Sequence, residues 1–110
     1  MSPTIVEIMQ KMLGALETEK AKGVDAVVHF EFTGAEAGEW YAVIRDAKCT
    51  IGQGMPKSRP TISLTVDSSD FVHVLTGEMD GPQAVMDGKL KVGGDIMLAP
   101  KLLKLFRLKS

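Results

Sequence analysis

Apolar and polar residues alternate along three stretches of this chain, and this two-residue period constrains the fold more than any other feature. The apolar positions of these stretches are rich in β-branched and aromatic residues, as is typical of half-buried strands. A turn-like GAEAG at 34–38 predicts that the first two stretches form a hairpin. With two weaker patterns, we predict five strands, at 24–34, 39–46, 47–54, 61–66 and 89–94.

Helical patterns surround these strands. Thr4-x-x-Glu7 resembles a capping box and predicts an amphipathic helix that ends at Gly23. The sequence DSSDF offers N-cap residues for a second helix that stops at Gly77. A short helical turn then begins at Pro82, and Asp95 is predicted to cap a last helix. One helix, a run of strands and further helices together predict an α+β fold with a mainly antiparallel sheet.

Composition limits the class of protein. A chain of 110 residues is enough for one domain, predicted at 1–110. A net charge of -1 does not indicate a protein whose surface as a whole binds nucleic acid, since such surfaces are strongly basic. The single cysteine, Cys49, allows no intrachain disulfide and indicates a reducing compartment. No secretory signal, membrane span or peroxisomal tail is recognisable, so we expect a cytoplasmic protein.

Catalytic motifs are absent from the sequence. Gly93-Gly94 is too little to indicate a nucleotide-binding loop. His29, His73 and Cys49 lack the spacing of metal ligands, and no local signature supports a cysteine nucleophile. The acidic residues occur around turns and helix starts, where they cap. We therefore predict no enzyme activity, no cofactor and no metal.

The last segment, residues 95–110, is apolar over about half of its predicted helical circumference, and its basic residues lie opposite. A core helix, a membrane-surface helix and a ligand lid all have such a pattern. Pro100 either starts this helix or kinks it, because it removes a backbone hydrogen bond. Seven methionines, which are flexible and polarizable, suit an adaptable apolar surface. An apolar ligand pocket between sheet and helices fits these patterns.

A longer match lies in the second half of the chain. The stretch TVDSSDFVHVLTGEMDGPQAVMDGKLKVGGDIMLAPKLLKLF resembles the sterol carrier protein-2 family. Its matching parts are a strand-to-helix step at 67–77, a short helix at 82–87, GKLKVG at 88–93 and a final helix at 95–106. Earlier residues match only in the order of elements. Pro100 and the missing peroxisomal tail depart from the family pattern, and within this resemblance the missing tail favours a prokaryotic stand-alone domain over a eukaryotic peroxisomal carrier.

The resemblance implies a five-stranded, mainly antiparallel sheet covered on one face by helices. It also implies an apolar tunnel that binds a fatty acid, a fatty acyl-CoA or a sterol-like lipid without catalysis, with the last helix as a gate. Basic residues of the last helix could contact an anionic membrane, and they are Lys101, Lys104, Arg107 and Lys109. Candidate ligand contacts are Phe30, Phe32, Trp40, Ile62, Leu64, Phe71, Leu75, Met79, Val85, Met86, Leu90, Met97, Leu98, Leu102, Leu105 and Phe106.

Two other functions stay open at this point. The domain could be an interaction or accessory module, for example in lipid or quinone metabolism, without a lipid cargo of its own. It could also be a thiol hydrolase that uses Cys49. The sequence does not specify the lipid, whether transfer occurs in the cell, or the oligomeric state.

Overall fold

The computed structural model describes residues 4–16, 18–98 and 101. Five strands form one sheet in the order β3-β2-β1-β4-β5. Neighbouring strands run antiparallel except for the central pair, β1 and β4, which is parallel. The predicted α+β fold with a mainly antiparallel sheet is thus confirmed. The strands are β1 Ala26–Thr33, β2 Gly38–Arg45, β3 Lys48–Gln53, β4 Ile62–Asp67 and β5 Leu90–Gly94.

Helices connect and cover these strands. Two short 3-10 turns, Gly34–Glu36 and Ile96–Leu98, follow β1 and β5. Within the described ranges, no helix is long and apolar enough to cross a membrane. The helices are α1 Ile5–Ala15, α2 Thr18–Ala21, α3 Ser68–Thr76 and α4 Gly81–Met86.

The predicted helix boundaries mostly agree with the observed caps. The hydroxyl of Thr4 accepts a hydrogen bond from the Glu7 amide at 3.2 Å, and Asp67 and Asp80 cap α3 and α4 in the same way. Gly77 ends α3 with φ near 86°, a conformation that suits glycine. These contacts confirm the predicted starts of three helices and the end of one.

The first helix is the exception, because the predicted single helix to Gly23 is two helices. The chain leaves the helical conformation at Leu16, where ψ is 123°. Gly14, a poor helix former, lies two residues earlier. Leu16 packs partly buried against the core, so the break lets its side chain reach apolar neighbours. Periodicity alone does not register such a local break.

The core lies on one face of the sheet, called the inner face, which carries Phe30 and Phe32. Buried residues of α1, such as Met9, and of α3, such as Leu75, join the inner-face side chains in one apolar cluster. Cross-strand neighbours share a face. The register pairs Phe30 with Trp40 and with Leu64, so the inner face is apolar across β2, β1 and β4. The helices therefore cover this face, as predicted.

The connection between β3 and β4 runs across the sheet. These two strands point the same way on opposite sides of β2 and β1, as the pairings require. Residues 54–61 span this distance, and their ends are held by Gly54 N–H to Glu39 C=O and Thr61 N–H to Val27 C=O, both 2.7 Å. Eight residues reach about 26 Å when extended, which is enough to cross the three strand spacings that separate β3 from β4.

Two residues on the opposite, outer face are buried although the sequence predicts a polar face there. Val27 is 7% and His29 is 8% exposed, and neither belongs to the apolar core cluster. Alternation along one strand does not predict this burial, because it depends on the tertiary surroundings of the strand.

Candidate functional site

The inner face of the sheet is the region where most candidate ligand contacts come together. Its strand residues are held in rows by the sheet register: Phe32 lies beside Val66, Phe30 beside Leu64, and Val28 beside Ile62. Ile62 is completely buried. The edge strand β5 continues the rows, because Leu90 pairs with Val66 and Val92 with Leu64.

Three phenylalanines fill the middle of this face. The ring centroid of Phe71, on α3, lies 5.4 Å from that of Phe30 and 5.0 Å from that of Phe32. The rings of Phe30 and Phe32 are stacked at 5.8 Å. These distances are those of favourable aromatic pairs, worth about 0.5–1.5 kcal/mol each beyond burial. All three side chains are buried, so the space between α3 and the strands β1 and β4 is packed.

The remaining described candidates differ widely in exposure. Leu75 and Leu90 are buried, whereas Trp40, Met79 and Leu98 are partly buried against the core. Val85 is 43%, Met86 81% and Met97 79% exposed. The exposed side chain of Lys101 belongs to the predicted membrane contact. The other candidates, Leu102, Lys104, Leu105, Phe106, Arg107 and Lys109, lie outside the described residues.

These positions show which predicted residues lie together without testing what they bind. The strand candidates and Phe71 form one apolar group, and Met79, Leu90 and Leu98 border it. Val85, Met86 and Met97 point into water. The predicted start or kink of the last helix at Pro100 also lies outside the described residues.

A polar cleft that the sequence did not predict lies where α1 and α3 begin. It encloses about 140 Å³ and is lined by residues of three segments, including Thr4, Glu36, Ser68 and His73. Glu36 accepts a hydrogen bond from the Ile5 amide at 3.0 Å and its own N–H donates to Ser68 Oγ at 3.3 Å. The carboxylate of Glu36 therefore already accepts from a free backbone amide at the start of α1. The contacts of Glu36 connect the starts of α1 and α3, so the cleft is not a free anion-binding site.

Cys49 has no activated thiol. It lies on the inner face beside Ile44, and burial raises the pKa of its thiol to about 11. A thiol with this pKa stays protonated at neutral pH and is a poor nucleophile. Among the described residues, no group of three or more histidine, cysteine or acidic side chains is placed to hold a metal ion. These properties give no support to a hydrolase at Cys49.

His29 is the unusual polar residue of the outer face. Its Nε2 atom is buried without a hydrogen-bond partner among the described residues. The Oε1 atom of Glu39 lies 3.2 Å away, but not in a direction suited to a hydrogen bond. In the same row of the sheet, the ring of Tyr41 lies over Gly52, where any side chain would overlap it. The outer face is therefore closely packed around His29 and between Tyr41 and Gly52.

A five-stranded sheet with a packed, apolar inner face under helices defines an α+β domain built around an apolar interior. The chain belongs to the SCP-2 sterol transfer family, whose model matches residues 9–107. This match confirms the resemblance noted in the sequence. The family consists of lipid-binding and lipid-transfer domains.

Relatives and solved structures agree with this assignment. Hydroxysteroid dehydrogenase-like protein 2 of Xenopus tropicalis is 32% identical over 104 residues, which cover 94% of this chain but only 25% of that protein. Sterol Carrier Protein 2 of Yarrowia lipolytica has a TM-score of 0.71 at 23% identity, covering 91% of this chain and 89% of that one. Palmitated SCP2L2 of Aedes aegypti has a TM-score of 0.73 at 21% identity, covering 97% of both chains.

The same fold also occurs inside a larger enzyme. The sec-alkylsulfatase Pisa1 of Pseudomonas sp. matches with a TM-score of 0.80 at 19% identity, covering 90% of this chain and 16% of that chain. This likeness and the structural likenesses above establish the fold alone. The chain spans about a quarter of the dehydrogenase-like relative, and a domain of the same fold makes up 16% of the alkylsulfatase chain.

Proposed function

We propose that this domain binds a lipid, such as a fatty acid, a fatty acyl-CoA or a sterol-like molecule, and passes it on without chemical change. The ligand would occupy an apolar tunnel between the inner face of the sheet and its helical cover, on the side of β5 rather than under α3, where three phenylalanines fill the space. Membership of the SCP-2 sterol transfer family supports this function. So does the palmitated state of the similarly folded SCP2L2 of Aedes aegypti.

The observation that carries this proposal is the accessibility of apolar side chains beside β5. Val92 and Leu98 pack against the buried core but are only partly buried themselves, and Met79, in the connection between α3 and α4, has the same character. Water therefore reaches apolar surface that is continuous with the core. Ligand sites are typically lined by such apolar surface with few polar groups.

The hydrophobic effect supplies enough free energy for this binding. Burying about 14 methylene groups of an acyl chain at about 0.8 kcal/mol each gives a gross gain of about 11 kcal/mol. The loss of translational and conformational freedom consumes part of that gain. Micromolar or tighter affinity is then possible with few polar contacts.

The last segment is proposed as a gate, with Leu102, Leu105 and Phe106 facing the ligand. The sequence pattern supports this role, and these residues lie outside the described part of the structure. We expect Leu102→Asp to weaken lipid binding at least tenfold while lowering the free energy of unfolding by less than about 2 kcal/mol. Met55→Asp is the matched control, since an exposed apolar side chain outside the candidate ligand contacts gains the same charge. A proportional loss of binding and stability in Leu102→Asp would instead indicate an ordinary core residue.

A titration tests the main proposal. Purified, delipidated protein is titrated with a fluorescent fatty acid, which is then displaced by palmitate, palmitoyl-CoA or a sterol. Saturable one-to-one binding with competition is the expected result, and the order of displacement identifies the class of cargo. Absence of binding up to high micromolar concentration would contradict the proposal.

An accessory role within a larger assembly is the second candidate. Its support is that related domains occupy only 25% of the dehydrogenase-like relative and 16% of the alkylsulfatase. The ubiquinone synthesis protein UbiJ also contains a domain of this fold, with a TM-score of 0.69. In this role the domain would bind a protein partner without its own cargo. Failure of the titration together with capture of one defined enzyme partner would favour it.

The proposed role requires no catalytic residue, cofactor or metal. Recovery of chemically unaltered lipid from both the wild type and Cys49→Ser would support this, because a thiol-dependent reaction would alter the lipid in the wild type alone. We further propose a cytoplasmic location, on the ground that a single cysteine suits a reducing compartment. Localisation of the tagged full chain by microscopy or fractionation tests this.

A further inference from the structure

Two rows of apolar side chains cross the inner face from β1 to the edge strand β5. In the first row Phe30 pairs with Leu64, which pairs with Val92. The exposed fraction of the side chains rises along this row, from 3% at Phe30 to 8% at Leu64, and Val92 is only partly buried. The second row is buried throughout, and its members are Phe32, Val66 and Leu90. The inner face is therefore accessible at the β5 end of the first row and closed toward β1.

The closed side of both rows is filled by three aromatic rings, which we call the aromatic cluster. Its members are Phe30, Phe32 and Phe71. The centroid of the Phe71 ring lies 5.4 Å from that of Phe30 and 5.0 Å from that of Phe32, so this ring joins the two rows above β1. Trp40, the cross-strand neighbour of Phe30, continues the aromatic surface onto β2. Because buried side chains in such contact leave little free volume, a ligand that enters beside β5 meets the aromatic cluster as a wall.

The helix α3, which supplies the third ring of the aromatic cluster, is fixed at its start. Asp67 caps α3 by accepting a hydrogen bond from the Ser69 amide at 2.9 Å. The Oγ atom of Ser68 accepts from the Glu36 N–H at 3.3 Å. The carboxylate of Glu36 accepts in turn from the Ile5 amide at 3.0 Å, which connects α3 to the start of α1. Moving the ring away from the sheet would therefore disturb several hydrogen bonds at once.

The space between the aromatic cluster and β5 is narrow. Only β4 lies between β1 and β5, and neighbouring strands are about 4.8 Å apart, so β5 lies about 10 Å from β1. A flexible acyl chain can bend along β4 and β5 within such a space. The fused rings of a sterol are rigid and wider, and forcing extra volume into a packed core is unfavourable. The shape of this space thus favours an acyl chain over a sterol.

We propose that the aromatic cluster restricts the cargo of this domain to flexible acyl chains, and that Phe71 is the residue that determines this specificity. The cargo of the proposed function is thereby narrowed to a fatty acid or a fatty acyl-CoA, and rigid sterols are excluded. Phe71 has the main role because its ring closes the gap between the sheet and α3, whereas the other two rings belong to β1. This inference rests on the proposed lipid binding.

The test compares two carboxylic acids that share a head group and differ in the shape of their tails. Purified, delipidated protein is loaded with a fluorescent fatty acid, which is then displaced by palmitate or by cholanic acid, whose tail is the fused-ring skeleton of a sterol. Palmitate should bind the wild type at least tenfold more tightly, since even one methylene group is worth about 10–200-fold in an apolar pocket. Phe71→Leu removes the ring but keeps an apolar side chain. It should reduce the ratio of the two affinities at least fivefold, mainly through tighter binding of cholanic acid.

Ile44→Val is the matched control, because it also trims a completely buried side chain of the core. Ile44 pairs with Ala26, which is four residues, or about 13 Å, along β1 from Phe30. Circular dichroism should show that both variants are folded, and their melting temperatures should agree within about 3 °C. The control should keep the affinity ratio within about twofold of the wild type. An equal change of the ratio in both variants would mean that general loosening of the core determines selectivity, and it would overturn the proposal.

The remaining outcomes separate this inference from the proposed function. Absence of binding by the fluorescent fatty acid and by both competitors would contradict lipid binding itself, and the inference with it. Equal affinities of the wild type for palmitate and cholanic acid would keep lipid binding and overturn the inference, whether or not Phe71→Leu folds. A preference for palmitate that Phe71→Leu leaves unchanged would keep the acyl cargo and overturn the role of Phe71.

Discussion

Beneath α1 and α3, Phe30, Phe32 and Phe71 lie buried against one another, whereas beside β5 the side chains of Met86 and Met97 are 81% and 79% exposed. Both regions are rich in apolar residues, so apolar content does not decide which one is closed. The first region lies at the centre of the sheet under two helices, and the second lies at an edge. Stability is expected to depend on the closed region, and access for ligands on the open one.

The largest expected effect is the difference in stability between two alanine variants, one in each region. Phe71→Ala should lower the free energy of unfolding by about 3–5 kcal/mol, because it removes a buried ring and leaves a cavity beside two others. Met86→Ala should change it by less than about 0.5 kcal/mol. Urea unfolding followed by circular dichroism measures both. Similar losses in the two variants would mean that the open region is closed in solution.

The second largest effect on stability is expected where Gly34 lies against Asp67, the residue that caps the start of α3. A methyl group on Gly34 would overlap the carboxylate of Asp67, and φ at Gly34 is 85°. Gly34→Ala should therefore cost about 2–3 kcal/mol, the sum of the left-handed backbone cost and the loss of the Asp67 cap. Thermal unfolding measures this. Gly88→Ala is the control, since Gly88 also has positive φ but open space around it, and its cost should be smaller.

A smaller effect is expected on the pH dependence of stability, through Asp67, which caps the start of α3. The Ser69 hydroxyl and then the Ser69 amide donate hydrogen bonds to Asp67 and hold the pKa of its carboxyl below the ordinary value. This lowered pKa stabilises the fold at neutral pH, and the contribution is lost as the pH falls below about 4 toward the folded-state pKa. Asp67→Asn keeps an oxygen acceptor but does not titrate at this position. The difference in unfolding free energy between pH 7 and pH 3 should be smaller in this variant, and an unchanged difference would refute the assignment.

The smallest expected effect is a gain in stability, in the turn between β2 and β3. Asp46 and Ala47 connect β2 to β3 with φ of 55° and 60°, the left-handed region in which glycine is favoured. Ala47→Gly should raise the free energy of unfolding by about 0.5–1 kcal/mol because it relieves this strain. The midpoint of urea unfolding measures the change. A loss of stability would mean that the partly buried methyl group of Ala47 contributes more by packing on the core.

The faces of the strands and most helix caps could be predicted because they depend on local patterns. The alternation of apolar and polar residues predicts that Phe30, Trp40 and Leu64 lie on apolar strand faces. The register confirms that they are neighbours on one face. The depth of burial could not be predicted in this way. Met86 and Leu90 are both apolar and four residues apart, yet one is exposed and the other buried, because only Leu90 is in the sheet.

Features that combine distant segments of the chain also could not be predicted from local sequence patterns. The polar cleft combines Thr4, Glu36 and Ser68 from three parts of the chain, and no motif connects them. The burial of His29 depends on its tertiary surroundings rather than on its own strand. The parallel pairing of β1 with β4 is a further example, since chain order alone does not reveal which strands become neighbours.

That parallel pairing has a consequence for the nascent chain on the ribosome. β1, β2 and β3 can form a meander as soon as they emerge, but the second edge of β1 has no partner until β4 has been translated. During this interval Phe30 and Phe32 lack the strand and the helix that bury them. At about 5–20 residues per second, the interval between the ends of β1 and β4 lasts roughly two to seven seconds. Synthesis thus exposes an aromatic, aggregation-prone strand edge that the finished fold hides, and chaperone binding should be strongest in that window.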